Sequence, residues 1–194
     1  MKILFCFATQ QEGKVIKEAI KELKIKRKCP FEYFCTWIGN YSCIFSLTKY
    51  LLEHNDQTYF IINIGICGYV GEYYPCIQGA IIKHKNNMKE NIIPIPIKIA
   101  PLQTIISSET IVTQQTEIQN QTWTYFIDME SYGIEYVAQQ FHFPRLYIKV
   151  PIDQIWEETI SFNKENALKR LKNQINYQDV IERLIDYLEK LTQK

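Results

Sequence analysis

Short apolar runs alternate along the chain with segments whose apolar residues recur at helical spacing. Residues 1–8 are an apolar, β-rich run ending in a polar turn, which predicts a buried strand. Thr9-Gln10-Gln11-Glu12 opens a helix with apolar positions at Val15, Ile16, Ala19, Ile20 and Leu23. A strand that passes directly into a helix is the opening of an α/β fold. After Pro30, the aromatic run 31–38 predicts a second strand, closed by Gly39-Asn40. A helix over about 41–54 follows, with Ile44, Leu47, Leu51 and Leu52 on one face, and Asn55-Asp56 breaks it. Residues 59–66 are the most continuous β-branched run, as expected of a central parallel strand covered on both faces. That run ends in Gly65-Ile66-Cys67-Gly68-Tyr69-Val70-Gly71, where three glycines let a ligand come close to the backbone.

Residues 79–83 predict another strand and 86–91 a polar loop. Pro94, Pro96 and Pro101 keep the next segment extended, as an edge or an irregular crossing. A strand over 102–106 is ended by Ser107-Ser108-Glu109-Thr110, and 114–122 is polar enough for a loop. From Tyr125 a buried strand turns into a helix, with Ile134, Val137, Ala138 and Phe141 at helical spacing. A last strand over 145–150 is stopped by Pro151-Ile152-Asp153. Helices over 163–174 and 178–191 finish the chain, the second with Val180, Ile181, Leu184, Ile185 and Leu188 inward. There is no repeat and no linker. The elements predict one domain over 1–194, a three-layer α/β/α sandwich on a mixed, partly barrel-like central sheet.

Composition narrows the function more than the fold. The chain has 194 residues, 46% of them apolar, enough to bury a substantial core. With 22 basic and 21 acidic residues, the net charge of +1 makes no case for nucleic acid; the cluster Lys21, Lys24, Lys26, Arg27, Lys28 reads as a solvated helix end. No apolar stretch is long enough for a membrane span, and the N-terminus lacks a signal-type cleavage site. The six cysteines, Cys6, Cys29, Cys35, Cys43, Cys67 and Cys76, form no C-x-x-C pair and lie mostly in apolar strings. They predict buried thiols in a reducing cytoplasm. His54, His84 and His142 stand apart from them, so no metal site is expected.

In open α/β sheets ligands bind beyond the carboxyl ends of the strands. Four such ends here carry polar or glycine-rich sequence: Glu12, Gly65 to Gly68, Ser107 to Thr113, and the acids Glu130 and Asp153. Asp128 and Glu130 flank Met129 at the end of a buried strand, where desolvation is costly and a sugar hydroxyl would be a fitting partner. The alternative is an acidic turn with Ser131 capping the helix. Thr9-x-x-Glu12 is also the sequence of a capping box, worth about 1 kcal/mol as a cap. Asp153 could equally cap a short helix at 154–158.

The junction Asp128-Met129-Glu130-Ser131 resembles the ribose-binding segment of the nucleoside phosphorylase and nucleosidase superfamily. The resemblance implies that Glu130 grips the ribose hydroxyls and Met129 packs beneath the sugar. Ala8-Thr9-Gln10-Gln11-Glu12 is similar to the Ala-x-x-x-Glu of nucleosidases that hydrolyse 5′-methylthioadenosine and S-adenosylhomocysteine, which implies Glu12 as the base for water. Asn63-Ile64-Gly65-Ile66-Cys67-Gly68 resembles the family's Asn-x-Gly-x-x-Gly, beside ribose and water. Together with 47–54 it looks especially like futalosine hydrolases. Ile66 stands where methylthioadenosine nucleosidases carry a water-holding serine. Ser107-Ser108-Glu109-Thr110-Ile111-Val112 falls where the family has Ser-Gly-Asp-Ala-Phe-Ile. Ile111 would then be an apolar wall for the purine without the aromatic stack, and Val112 would offer its N–H and C=O. Lys149-Val150-Pro151-Ile152-Asp153 takes the place of Arg-Ala-Ile-Ser-Asp, which implies Asp153 as the acid at purine N7. Lys149 would supply a point charge without arginine's fork.

These correspondences imply hydrolysis of the N-glycosidic bond of a purine nucleoside, with no metal or organic cofactor and a homodimer as the working form. Phosphorolysis is the second enzymatic reading. A phosphate dianion needs converging cations or N–H groups, whereas Gln10, Gln11 and Glu12 follow the first strand and no arginine sits at a matching strand end. A member that binds a nucleoside without turning it over is the third reading, because Ile66, Ile111, Lys149 and Ile152 replace polar or stacking residues.

Overall fold

The computed structural model describes residues 1–25, 30–112, 124–155 and 163–192. Its elements in chain order are β1 (Lys2–Phe7), α1 (Gln10–Lys21), β2 (Phe31–Cys35), α2 (Asn40–Glu53), β3 (Tyr59–Val70), β4 (Ile77–His84), β5 (Glu90–Ile92), β6 (Leu102–Ser107), β7 (Tyr125–Asp128), α3 (Ser131–Gln140), β8 (Arg145–Gln154), α4 (Lys164–Gln174) and α5 (Tyr177–Thr192). β3 pairs antiparallel with β7 and parallel with β8. β4 pairs antiparallel with β8 and parallel with β6, which is parallel to β7. These five strands close a mixed barrel. β1 and β2 extend it from β3 as parallel strands, and β5 adds an antiparallel edge to β4.

Side chains alternate along a strand, and the two sets build two cores. Ile3, Phe5 and Phe7 of β1, Phe60, Ile62 and Ile64 of β3, and Leu146, Ile148 and Val150 of β8 pack with α1, α4 and α5. Leu4, Cys6, Tyr59, Ile61 and Tyr147 face the other way, toward α2 and α3. Asn63, Gly65 and Lys149 continue that second face by the same period of two. Five of the six cysteines lie in the described residues and all five are unpaired; Cys29 lies outside them. No helix among the described residues is long and apolar enough to cross a membrane.

Several expected boundaries move. β2 stops at Cys35 rather than at residue 38, because Trp37 (φ 64°) and Gly39 (φ 99°) take left-handed backbone that a strand cannot hold. On α2 the buried face is Asn40, Cys43, Leu47 and Leu51, and Leu52 is exposed. Within the expected loop 86–91, Glu90 and Asn91 belong to β5, paired to β4 and braced by a 2.8 Å Lys83–Glu90 ion pair. β3 and β8 both outrun their expected ends because they pair with each other. Pro151 does not stop β8. The register slips there, Cys67 facing Pro151 and Gly68 facing Asp153, so Ile152 is the extra residue of a bulge. Bulges are among the few sheet positions that accept proline. The loop expected at 114–122 and most of the helix expected at 154–158 fall outside the described residues; Gln154 itself ends β8.

Candidate active site

Glu12 is the cap that one of its sequence readings suggested, and its carboxyl also faces inward, toward β3. Its Oε2 accepts from the Thr9 amide at 2.9 Å and the Thr9 hydroxyl at 3.1 Å, while its own amide donates to Thr9 Oγ1 at 3.2 Å. The other oxygen, Oε1, turns toward β3 and accepts from the Ile66 amide at 3.3 Å. Gly65 makes this approach possible: a Cβ there would stand 3.2 Å from Glu12 Oε1 and 3.6 Å from Lys149 Nζ. The side chain of Ile66 packs into the α1 core instead, so what this position offers Glu12 is its backbone N–H.

Beside Gly65 lies a buried ion pair. Lys149 Nζ sits 2.7 Å from Asp128 Oδ2, with the side chains 1% and 0% exposed. Asp128 also accepts from the Ser131 amide (3.1 and 3.3 Å) and the Ser131 hydroxyl. That hydroxyl lies 3.3 Å from Asn63 Oδ1, and Asn63 in turn donates to the Cys6 carbonyl at 3.2 Å. Ser131 therefore does not cap α3; Asp128 takes the first amide of the helix. Burial disfavours the Lys149 ammonium, but the charge of Asp128, then that of Glu130, outweighs it and holds the lysine's pKa above its ordinary value.

Glu130 is buried at the start of α3. Its carboxyl is pushed up to about 8, first by burial and then by the charge of Asp128; Lys149 opposes this, Glu12 adds to it, and the Gly39 N–H hydrogen-bonds the carboxylate and lowers it. Three acids, Glu12, Asp128 and Glu130, thus share one field with a single lysine. Asn40, next to Gly39, ties the start of α2 to the end of β6 and to α3. Its Oδ1 accepts from Ser107 Oγ and from the Gly133 amide, both at 2.9 Å, and its amide reaches the Ser108 carbonyl at 3.4 Å. α2 and α3 meet so closely here that a Cβ on Gly133 would lie 2.4 Å from the Asn40 carbonyl oxygen. Asp128, Ser131, Asn63, Gly39 and Asn40 were not among the expected site residues. For Asp128 the signal was present, as the first acid of the strand end.

The structure thus brings together Glu12, Gly65, Ile66, Glu130 and Lys149, with buried Cys67 close enough to Lys149 and Asp128 to feel both charges. Met129 is half-buried between Asp128 and Glu130. Asp153 stands beyond the bulge, opposite Gly68. Burial raises its carboxyl and Arg170 of α4 lowers it; no described contact joins it to Glu12 or Glu130. Val112 is buried with Val70, Ile127 and Ile155, which brings the end of β6 beside the end of β8. Ile111 is 73% exposed. Among the described residues no group of histidine, cysteine and acidic side chains is arranged to hold a metal ion.

A closed five-stranded mixed barrel, extended by two parallel strands and flanked by helices on both faces, is the nucleoside phosphorylase and nucleosidase-like fold. The particular likenesses are to nucleosidases. A methylthioadenosine/S-adenosylhomocysteine nucleosidase of Helicobacter pylori, crystallised with a pyrrolidine ligand bearing a pyrrolopyrimidine, superposes with a TM-score of 0.74 at 13% identity, over 96% of this chain and 98% of that one. A futalosine hydrolase mutant of the same organism gives 0.73 at 12% identity, over 96% and 99%. The Neisseria meningitidis methylthioadenosine/S-adenosylhomocysteine nucleosidase, in complex with methylthio-immucillin-A, gives 0.69 at 16% identity, over 90% and 94%. No protein-family model matches the chain, and no curated protein sequence does.

Proposed function

We propose that the chain is an N-ribosyl hydrolase acting on a purine nucleoside such as 5′-methylthioadenosine, S-adenosylhomocysteine or futalosine. The observation that carries this reading is the convergence of Glu12 and Lys149 on Gly65, where the strand has no side chain to fill the space, close enough to Glu130, 118 positions from Glu12, for that buried acid to feel both charges. Glu130 binds the 2′ and 3′ hydroxyls and Met129 supports the sugar. As the C1′–N9 bond breaks, Asp153 gives a proton to N7, and water adds to C1′ while losing its proton to Glu12. Glu12 keeps lone pairs for that proton, because each carboxylate oxygen can accept more than the bonds it already has. Asp153 as the acid, its carboxyl raised by burial, and Glu12 as the base give the division of roles between two carboxylates in different environments that acid–base chemistry requires. Val112, beside Ile155 at the end of β8, offers backbone groups near the base, and Ile111 is the residue available for its apolar side.

Hydrolysis is favoured over phosphorolysis by charge. Glu12 and Asp128 outnumber Lys149, whose ammonium is already committed to Asp128. A phosphate dianion would enter a field of its own sign. The binding-only reading is favoured by the replacements at Ile66, Ile111, Lys149 and Ile152, and by the lack of a described contact joining Asp153 to Glu12 or Glu130. Base release from the three nucleosides, measured with and without phosphate, separates these readings. Release without phosphate is expected; release only with phosphate, or binding without release, would overturn hydrolysis.

The working form is a cytoplasmic homodimer that joins through α2. Trp37, Ile38, Tyr41, Phe45 and Leu52 are 54–74% exposed. At about 150–250 Å² for a whole aromatic side chain, they present roughly 600 Å² of apolar surface per protomer, against about 800 Å² per partner in a standard interface.

A further inference from the structure

We propose that Arg170 of α4 is a positioning residue: it clamps the β8 bulge and so aims the Asp153 carboxyl at the departing base. The inference rests on the hydrolase reading, with Asp153 as its acid.

The bulge needs an outside support. Pro151 has no amide hydrogen to give to the ladder, and Ile152, directly before Asp153, has no hydroxyl that could hold the carboxyl. A bulge bends its strand and re-aims the side chains that follow it. Asp153 is the first residue past this one. Both bulge carbonyls are taken by a single guanidinium: Arg170 Nη2 donates to Pro151 O at 2.6 Å and Nη1 to Ile152 O at 3.0 Å. Two donors fixed in one plane lock the orientation of both peptides, which the single ammonium of a lysine cannot do.

Arg170 is itself held. Its Nη2 donates to Tyr73 Oη at 2.8 Å, its Cζ lies 5.3 Å from the centroid of the Tyr73 ring, and Gln174, one turn further along α4, donates to the same phenol at 2.9 Å. Tyr73 leans in turn on Tyr69, at 5.6 Å between ring centroids, and the Tyr69 carbonyl accepts the Ile155 amide at 2.8 Å, two residues past Asp153. The bulge is therefore gripped on both sides of the acid. Arg170 is also the charge that draws the Asp153 carboxyl downward against its burial.

The test uses the full chain and two substrates: 5′-methylthioadenosine, whose base must be protonated to leave, and 4-nitrophenyl riboside, whose leaving group departs without a proton. Arg170→Ala is expected to lower kcat for the first roughly ten- to a hundredfold, the scale of a misplaced general acid. KM should change little, the second substrate should be spared, and Arg170→Lys should recover part of the loss. Combined with Asp153→Asn, it should add nothing. Equal losses on both substrates, or additive losses in the double variant, would show a merely structural arginine. Arg170→Gln replaces the alanine variant if that one does not fold. If the wild type cleaves neither substrate, the hydrolase reading fails separately. The clamp is then decided by titrating the ¹³C-labelled Asp153 carboxyl: an upward shift on losing Arg170 supports it, and an unchanged titration overturns it.

Discussion

Replacing Lys149 by methionine keeps the length of the side chain and removes its charge. Asp128 would then be left as a carboxylate with no exposed side-chain surface and no cation within bonding distance, its 2.7 Å partner gone. The Ser131 amide and hydroxyl still donate to it, so the charge is not wholly unsupported. Breaking a buried pair from one side costs about 3–5 kcal/mol, and the surviving hydrogen bonds argue for about 3. In a chain of this size that corresponds to a fall in Tm of about 6–12 °C. Asp128→Asn in the same chain removes the unpaired charge and should restore most of the loss. Urea unfolding followed by circular dichroism at neutral pH measures both changes. A variant as stable as the wild type at neutral pH, or a double variant less stable than Lys149→Met, would refute the pairing.

Three further outcomes follow, two at the same site and one on the outer face of α2. Glu130 carries a carboxyl raised to about 8, against about 4.3 for an unperturbed glutamate. The folded chain therefore holds more protons than the unfolded one between those values, and stability should decline as pH rises through that window and level off above it; Glu130→Gln should flatten the profile, and an unchanged slope would contradict the assignment. Gly65→Ala puts a methyl 3.2 Å from Glu12 Oε1, so base release should drop at least tenfold in initial-rate assays, about 1.4 kcal/mol of barrier, with the urea midpoint moving little. Phe45→Glu places a charge on the apolar face of α2 and should give monomers in analytical ultracentrifugation, where an unchanged sedimentation coefficient would reject that face.

Strands buried on both sides could be read directly, because the apolar runs of β1, β3 and β7 are broken internally only by Asn63. β5 could not: its three residues are mostly exposed and carry no apolar alternation. The proline at 151 has the sequence of a stop but the structure of a bulge, since only the pairing with Cys67 and Gly68 across the ladder decides between the two. On the site, the local signals around Glu12 and Glu130 were legible because each acid sits beside its own strand end. Asn40 and Arg170 were not. Asn40 acts on residues 67 and 93 positions away, and Arg170 on carbonyls 18 and 19 positions back, so neither pattern exists until the chain has folded. Lys149 was expected beside a ligand and is found paired with Asp128; the spacing of the two residues says nothing about which way the ammonium turns.

The most direct measurement is a crystal structure with a non-hydrolysable purine nucleoside analogue bound. Its ribose should lie over Gly65 with the hydroxyls on Glu130, a water between Glu12 and C1′, and the base at the end of β8 within reach of Asp153. An analogue bound elsewhere, or bound with Glu12 turned away from C1′, would contradict a nucleosidase site at these acids.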